Sequence, residues 1–181
     1  MRARLLKTVV LVGMMGAGKT AVGQALSRML GAPFLDSDAE IERAAARTIP
    51  EIFARDGEPF FRLKESQVIA RLLAGRPAVL STGGGAFVAE ANRRMIHDLG
   101  ISVWLDADAE LLWQRVRHRS HRPLLRSVDP RATLAEILEA RRPAYAEADL
   151  HIRAEPHFAV EDTARSVIAA LESRPDVLER K

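Results

Sequence analysis

Short apolar runs alternate along the chain with stretches whose apolar residues recur at helical spacing. The apolar runs are rich in β-branched residues and predict five strands, at residues 8–12, 33–35, 78–80, 102–105 and 150–153. The stretches between them predict helices at residues 22–30, 59–74, 89–99, 109–116, 129–142 and 158–173, with a shorter one around 48–57. Strands that alternate with helices predict an α/β fold of three layers, in which helices cover both faces of a five-stranded parallel sheet.

Local signals mark where several of these elements begin and end. Gly31 and Gly100 follow two helical stretches as stop signals, and Thr48 with a glutamate three residues later resembles a capping box. Asp129 before a proline predicts the start of another helix. The last eight residues, 174–181, are mostly polar and are predicted to fray. The pattern therefore predicts one domain over residues 1–181, with its core at about 8–173.

Composition narrows the class of protein. A length of 181 residues, with 48% hydrophobic and 28% charged residues, is typical of a single globular domain. The net charge of +3 is too small to indicate a nucleic-acid or membrane partner, although 23 of the 27 basic residues are arginines, which suit anionic ligands. The absence of cysteine excludes disulfides and thiolate metal sites. We therefore expect a cytoplasmic protein that acts as a monomer.

The amino-terminal region allows one alternative. Basic residues before an apolar run could mark a signal peptide, but Lys19 interrupts the longest apolar stretch before it reaches the length of a membrane span. The same region has a better explanation, because residues 13–20 read GMMGAGKT and match the pattern GxxxxGKS/T without a departure. The match lies between a predicted strand and a predicted helix, which is the arrangement that cradles nucleotide phosphates. The alternative, a glycine-rich turn that binds nothing, is much less favoured.

Carboxylates follow the second predicted strand. Asp36 and Asp38 are two apart, so in an extended chain they lie on the same side, near the phosphate cradle. One could hold Mg²⁺ through water while the other accepts the proton of an attacking hydroxyl. Capping of the following helix is the plainer interpretation, and both roles are compatible.

Two arginines stand out as candidate ligands for a substrate carboxylate. Arg62 opens a predicted helix with Glu65 one turn later, so a surface salt bridge is the simplest interpretation. Phe53 and Phe61 flank the same region and could wall a pocket in which the guanidinium binds an anion. Arg141 continues the inward stripe of another helix, whereas Arg142 is expected to be solvated.

Two further segments carry weaker signals. Gly83, Gly84 and Gly85 follow a buried strand, where missing side chains would let a ligand approach the backbone. The segment 115–126 carries five arginines and no carboxylate. It lacks aromatic residues between 117 and 126 for base stacking, so a lid that closes over transferred phosphates is favoured over a nucleic-acid surface or an exposed basic loop.

Taken in order, these motifs resemble the shikimate kinase family of nucleoside monophosphate kinase-like P-loop proteins. They are GMMGAGKT at 13–20, DSD at 36–38, FFRLKE at 60–65, STGGG at 81–85, RPLL at 122–125 and RRPAY at 141–145. The resemblance spans roughly residues 9–171 and implies a P-loop kinase fold with a mobile lid at about 115–126. It implies transfer of the γ-phosphate of ATP to the 3-hydroxyl of shikimate, with Mg²⁺ as cofactor, in chorismate and aromatic amino acid biosynthesis.

The resemblance also implies roles for individual residues. Lys19, Asp38 and Arg122 match the catalytic positions: the cradle lysine, the proposed base and the lid arginine. Nucleotide-binding positions are matched by Gly16, Ala17, Gly18, Lys19, Thr20, Ala21, Arg115, Arg122 and Pro156. Shikimate-binding positions are matched by Asp38, Arg62, Gly83, Gly84, Gly85 and Arg141, to which we add Phe53 and Phe61. Thr20 matches the direct Mg²⁺ ligand, and Asp36 a position linked to the metal through water.

Two other functions stay open at the level of sequence. A kinase for another small hydroxy acid, such as gluconate, would also need a phosphate cradle and an early acidic pair. A non-catalytic nucleotide-binding sensor could retain the fold, although it would not need to keep Lys19, Asp38 and Arg122.

Overall fold

Five strands form one parallel sheet in the computed structural model, which describes residues 3–118 and 127–181. In chain order the first six strands are β1 Ala3–Leu5, β2 Thr8–Val12, β3 Phe34–Asp36, β4 Val79–Ser81, β5 Gly100–Asp106 and β6 Leu150–Arg153. The sheet has the order β3-β4-β2-β5-β6, and each neighbouring pair is parallel. Residues of β2 and β5 are buried throughout, as the continuous apolar runs predict.

Helices cover both faces of this sheet. They are α1 Lys19–Leu30, α2 Ser37–Ala45, α3 Ile49–Asp56, α4 Glu58–Leu73, α5 Glu90–Leu99, α6 Ala109–Val116, α7 Pro130–Tyr145 and α8 Val160–Leu171, with one 3₁₀ turn at Ala86–Val88. The predicted three-layer α/β/α fold with a central five-stranded parallel sheet is confirmed. Within the described parts of the chain, the helices are all too short or too polar to cross a membrane.

The predicted helix boundaries depend on local chemistry, and most of these signals act as expected. Gly31 ends α1 in the left-handed conformation, with φ of 62°. Thr48 caps α3 by accepting a hydrogen bond from the backbone N–H of Glu51, and Asp129 caps α7 in the same way. Since parallel strands place their carboxyl ends at one edge of the sheet, the loops after β2, β3 and β4 lie together at that edge.

Helix α7 is longer than the sequence predicts. The prediction ended this helix at about Arg142, but the helix continues through Pro143 to Tyr145. Tyr145 is fully buried, and its ring packs 5.8 Å from that of Trp104. Tertiary packing therefore outweighs the local preference of proline to end a helix.

The prediction that residues 174–181 fray is wrong. A seventh strand, β7 Leu178–Arg180, pairs antiparallel with β1 and forms a separate two-stranded ribbon. Val177 and Leu178 are buried, and the carbonyl of Val177 accepts a hydrogen bond from the N–H of Leu6 at 2.7 Å. Two apolar residues in a polar tail do not by themselves indicate a strand. The strand forms because it pairs with β1 at the other end of the chain, and the local sequence does not show this pairing.

Deleting residues 176–181 is expected to lower the free energy of unfolding by about 3 kcal/mol, because two buried apolar side chains lose their packing. Catalytic constants should change little, since the ribbon precedes β2 at the amino end of the sheet and the loops described above lie at the carboxyl end. Denaturant unfolding and steady-state kinetics would measure the two effects. The exposed Glu179→Ala change is the matched control, and an unchanged midpoint after deletion would show that the ribbon does not stabilise the fold.

Candidate active site

The loop between β2 and α1 forms a cradle of backbone groups. Gly16 and Gly18 have φ of 84° and 91°, a left-handed conformation that residues with side chains rarely adopt. Lys19 begins α1, and its side chain turns back into the loop, with Nζ 2.6 Å from the carbonyl oxygen of Gly13 and 2.9 Å from that of Met14. The loop therefore holds a buried ammonium group at the amino end of a helix, which is an arrangement suited to phosphates.

A cavity of about 640 Å³ opens over this cradle. Its wall includes the predicted nucleotide-binding residues Gly16, Ala17, Gly18, Lys19, Thr20, Ala21 and Arg115. Arg115 also donates a hydrogen bond from Nη1 to the carbonyl oxygen of Gly16 at 3.0 Å. Pro156 is exposed, and among the described residues that side of the cavity is formed by Ala154, Phe158, Val160 and Thr163. Sequence reasoning missed these four residues, because no motif marks them.

The acidic pair has a different geometry from the one predicted. Asp36 ends β3 and caps α2, with Oδ1 accepting a hydrogen bond from the N–H of Ala39 at 3.1 Å, so the capping interpretation is confirmed. Asp38 lies in the first turn of α2 rather than in an extended chain, which corrects the expectation that both carboxylates extend from one side of a strand. Both residues nevertheless line the cavity, because a helix begins where β3 ends.

Asp38 is in an unfavourable environment for a carboxylate. Burial, followed by the charges of Asp36 and Glu65, raises its pKa to about 6, although the charge of Lys19 acts in the opposite direction. Within residues 3–118 and 127–181, its buried Oδ1 atom has no hydrogen-bond partner. A carboxylate with a raised pKa beside a phosphate cradle is suited to accept a proton near neutral pH.

Three glycines after β4 each lie against a charged side chain. A Cβ atom on Gly83 would lie 2.8 Å from Oδ1 of Asp38, and one on Gly84 would lie 3.0 Å from Nη1 of Arg141. A Cβ atom on Gly85 would lie 2.7 Å from Nη1 of Arg62. The structure thus brings one carboxylate and two guanidinium groups around the glycine run. A side chain at any of these three glycine positions would displace the charged group that lies against it.

Arg62 pairs with a buried carboxylate, that of Glu65, and also lies 3.5 Å from the exposed carboxylate of Glu58. Its Nη1 atom donates to Oε1 of Glu65 at 2.9 Å, and the side chain of Glu65 is only 1% exposed. Burial raises the pKa of Glu65, while Arg62 and Arg141 lower it. Phe61 is buried and packs 4.8 Å from the partly exposed ring of Phe53. The salt bridge that the sequence offered is thus present and the aromatic pair lies beside Arg62, whereas a pocket walled by the two rings stays a prediction.

Arg141 points inward as predicted, and its Nη1 atom lies 3.9 Å from Sδ of Met14. One turn later, Tyr145 donates a hydrogen bond to the carbonyl oxygen of Gly84 at 2.5 Å. Arg142, predicted to be solvated, is partly exposed and also lies 3.8 Å from a carboxylate oxygen of Asp106 and 3.2 Å from one of Glu139. Sequence reasoning missed the contact with Asp106, because the two residues lie far apart in the chain.

Comparison with known proteins identifies the chain. The family model described as shikimate kinase matches residues 15–172. The chain belongs to the shikimate kinase family. A curated relative, shikimate kinase from Cereibacter sphaeroides, is 68% identical over 177 residues, which cover 98% of this chain and 88% of that protein. The family membership makes the chain an enzyme, an ATP-dependent kinase, as the ordered motifs predicted.

Solved structures agree with this assignment. Shikimate kinase from Acinetobacter baumannii in complex with shikimate superposes with a TM-score of 0.87 at 41% identity, covering 93% of this chain and 94% of that one. A gluconokinase from Sinorhizobium meliloti superposes with a TM-score of 0.60 at 17% identity, covering 94% of both chains, which shows a shared fold alone. The comparisons therefore do not favour the gluconate alternative.

The predicted lid falls mainly on residues 119–126, which lie outside the described residues, as does the candidate arginine Arg122. The described part of the segment begins at the end of α6, where Arg115 lines the cavity and Val116 is buried. The α6 helix therefore leads directly from the nucleotide-binding cavity into the basic segment.

Family membership implies a metal ion, and two oxygen-bearing residues fit one. Thr20 and Asp36 both line the cavity beside the phosphate cradle. One oxygen of Asp36 caps α2, and within the described residues the other carboxylate oxygen has no hydrogen-bond donor. Hydroxyl and carboxylate oxygens, completed by water and phosphate, are the ligands that Mg²⁺ prefers.

Proposed function

We propose that the chain transfers the γ-phosphate of ATP to the 3-hydroxyl of shikimate, giving shikimate 3-phosphate and ADP, as a step of chorismate and aromatic amino acid biosynthesis. The observation that carries this proposal is the continuity of the site. One cavity runs from the phosphate cradle to the buried carboxylate of Asp38, and two arginines lie just beyond the same glycine run. A relative with 41% identity has been solved with shikimate bound.

The cradle end of the cavity would bind the phosphates of ATP. Backbone N–H groups of residues 16–21 and the ammonium group of Lys19 would neutralise phosphate charge. Arg115, Ala154 and Phe158 would contact the nucleoside, and Pro156 stays a proposed adenine contact at the edge of this region. Thr20 directly, and Asp36 through water, would hold Mg²⁺, which supplies further charge neutralisation when it is bound.

The end of the cavity at the glycine run, together with the space beyond it, would bind the acceptor. Arg62 and Arg141 would bind the carboxylate of shikimate with paired hydrogen bonds, and Phe53 and Phe61 would wall the pocket. Asp38 would contact ring hydroxyls and accept the proton of the attacking 3-hydroxyl. Its raised pKa keeps this carboxylate close to the proton affinity that such a transfer needs.

Arg122 is proposed to approach the transferring phosphate from the basic segment after α6. Charge accumulates on the equatorial oxygens of the phosphoryl group during transfer, and an added guanidinium would stabilise it together with Lys19. Removal of the γ-phosphate from water by a closing segment would strengthen these interactions.

Production of ADP from Mg-ATP tests the reaction directly. The purified protein should release ADP rapidly with shikimate, and much more slowly with gluconate or with no acceptor. Dependence on gluconate would contradict the proposed roles of Arg62 and Arg141. Nucleotide binding without turnover on any acceptor would favour a non-catalytic sensor.

Arg62→Ala is expected to raise the KM for shikimate by about 10²-fold, because the paired hydrogen bonds from its guanidinium to the acceptor carboxylate are lost. The KM for ATP should change by no more than about twofold, since Arg62 lies at the acceptor end. Arg55→Ala, on the same side of the sheet but exposed, is the matched control. Similar increases in both KM values would indicate a folding defect rather than loss of a substrate contact.

A further inference from the structure

The last turn of α7 carries Arg141 and Tyr145, and its own hydrogen bonds are incomplete. Pro143 lies inside this helix and has no N–H group to donate to the carbonyl of Glu139. A proline ring also crowds the preceding turn, so a helix usually bends or ends at this point. The turn that presents Arg141 to the acceptor pocket therefore depends on side-chain contacts with the rest of the protein.

Those contacts come from the carboxyl end of β5. Trp104 packs 5.8 Å from the ring of Tyr145, and the guanidinium of Arg142 lies 5.9 Å above the indole. Arg142 also reaches Asp106, with 3.8 Å between Nη1 and Oδ1. Two residues of one strand thus contact Arg142 and Tyr145, which lie on either side of Pro143.

Asp106 is an unusual residue for the end of a buried strand. Its side chain is only 3% exposed, and among the described residues three groups face it: Arg142 from α7, with His151 and Arg153 from β6. His151 lies 2.8 Å and Arg153 lies 3.5 Å from Oδ2, whereas Oδ1 faces Arg142 and has no hydrogen-bond partner within the described parts of the chain. Burying a carboxylate away from water costs free energy. The Oδ1 atom of Asp106 faces the guanidinium of Arg142 and so attracts this residue of α7.

The ion pair contributes little to global stability by itself. The side chain of Arg142 is 37% exposed, and its charge is also shared with Glu139. Water screens the half-exposed guanidinium, and His151 and Arg153 remain beside Asp106 when Arg142 is replaced, so loss of this one contact should change the free energy of unfolding little. Position rather than stability is therefore the property that the contact controls.

We propose that Asp106 is a positioning residue for acceptor binding: by holding Arg142 at the end of β5, it keeps the weakened last turn of α7 in place and aims Arg141 into the pocket. This inference rests on the proposed role of Arg141 in binding the acceptor carboxylate. Asp106 acts only through α7 and contacts neither substrate.

Asp106→Asn keeps the size of the side chain and removes its charge. We expect the KM for shikimate to rise about tenfold, with kcat and the KM for ATP within about twofold of the parent enzyme. Arg142→Met should produce a similar rise. The double variant should have a KM for shikimate no higher than that of either single variant, because both changes break the same contact between Asp106 and Arg142. Glu139→Gln removes the other, exposed partner of Arg142 and should leave all three constants unchanged.

Arg141→Met separates this inference from the proposed function. If Arg141→Met raises the KM for shikimate strongly and Asp106→Asn does not, the positioning role is wrong while the pocket assignment stands. An Arg141→Met enzyme with an unchanged KM for shikimate would overturn the assignment of Arg141 to the acceptor pocket. Effects of Asp106→Asn and Arg142→Met that add independently, or that raise both KM values equally, would also overturn the positioning role.

Discussion

Replacing Asp38 with asparagine is expected to lower kcat by about 10²- to 10⁴-fold, which is the usual contribution of a positioned general base. The change keeps the size of the side chain but removes its ability to accept the proton of the attacking hydroxyl. Asp38 lines the same cavity as Lys19 and is proposed to contact the acceptor rather than the phosphates of ATP. The loss should therefore fall on phosphate transfer and leave the affinity for the nucleotide unchanged. Single-turnover kinetics with saturating Mg-ATP and shikimate would measure the effect.

The raised pKa of Asp38 predicts two pH dependences of opposite sign. Since the base must be ionised, kcat/KM for shikimate should fall as the pH drops below about 6. Because the pKa is above its unfolded value, the folded state binds the proton more tightly. The stability that protonated Asp38 contributes is therefore complete at low pH and is lost as the pH rises from about 4 to about 6. The inactive asparagine variant should then be more stable than the parent at pH 7, by about 2 kcal/mol without ligands.

Asp98→Asn is the matched control, because that carboxylate is exposed on α5 and lies outside the cavity wall. It should change neither turnover nor the pH at which activity is lost. An Asp38→Asn enzyme that retains most of its kcat would remove Asp38 from proton transfer. Equal or lower stability of that variant at pH 7 would contradict the cost of burying its charge.

Gly85→Ala is expected to raise the KM for shikimate by about 10²-fold, because one methyl group occupies the space of the Arg62 guanidinium. Gly85 has φ of −93°, which alanine adopts without strain, so the backbone itself tolerates the change. The added Cβ would lie 2.7 Å from Nη1 and 2.8 Å from Cζ of Arg62, and it must push the guanidinium away from Glu65. Titration of both substrates in steady-state kinetics would measure the shift.

Gly75→Ala provides the comparison, since among the described residues its added Cβ would meet only the carbonyl oxygen of Leu72, at 3.4 Å. That variant should keep both KM values. If Gly85→Ala bound shikimate normally, Arg62 would have another position from which to bind the acceptor, and the close packing at Gly85 would not define the pocket. A crystal structure of the variant with shikimate would then show the new position.

Much of the architecture follows from local patterns in the sequence. Continuous β-branched runs such as 8–12 form buried parallel strands, and residues such as Gly31 and Asp129 end or begin helices through their own backbone and side-chain chemistry. The phosphate cradle was also predictable, because its glycines, Lys19 and Thr20 are consecutive in the chain. These features need only neighbouring residues, so a linear sequence contains them.

Long-range packing decided the rest. Asp36 and Asp38 lie near the cradle as predicted, but the start of α2 gives them different environments. Asp36 caps the helix, whereas burial raises the pKa of Asp38 to about 6. The glycine run is a weak signal by itself, and its meaning comes from Asp38, Arg62 and Arg141 lying against it.

The sequence by itself determined the parallel sheet, the phosphate cradle and the ordered motifs of the shikimate kinase family. Only the tertiary structure decided that β7 pairs with β1, that α7 continues beyond Pro143, and that Asp106 faces Arg142. The physical reason is the same in each case. A buried charge, a strand edge or a weakened helical turn is stabilised by groups distant in the chain, and the pairing of such groups is set by the packed fold.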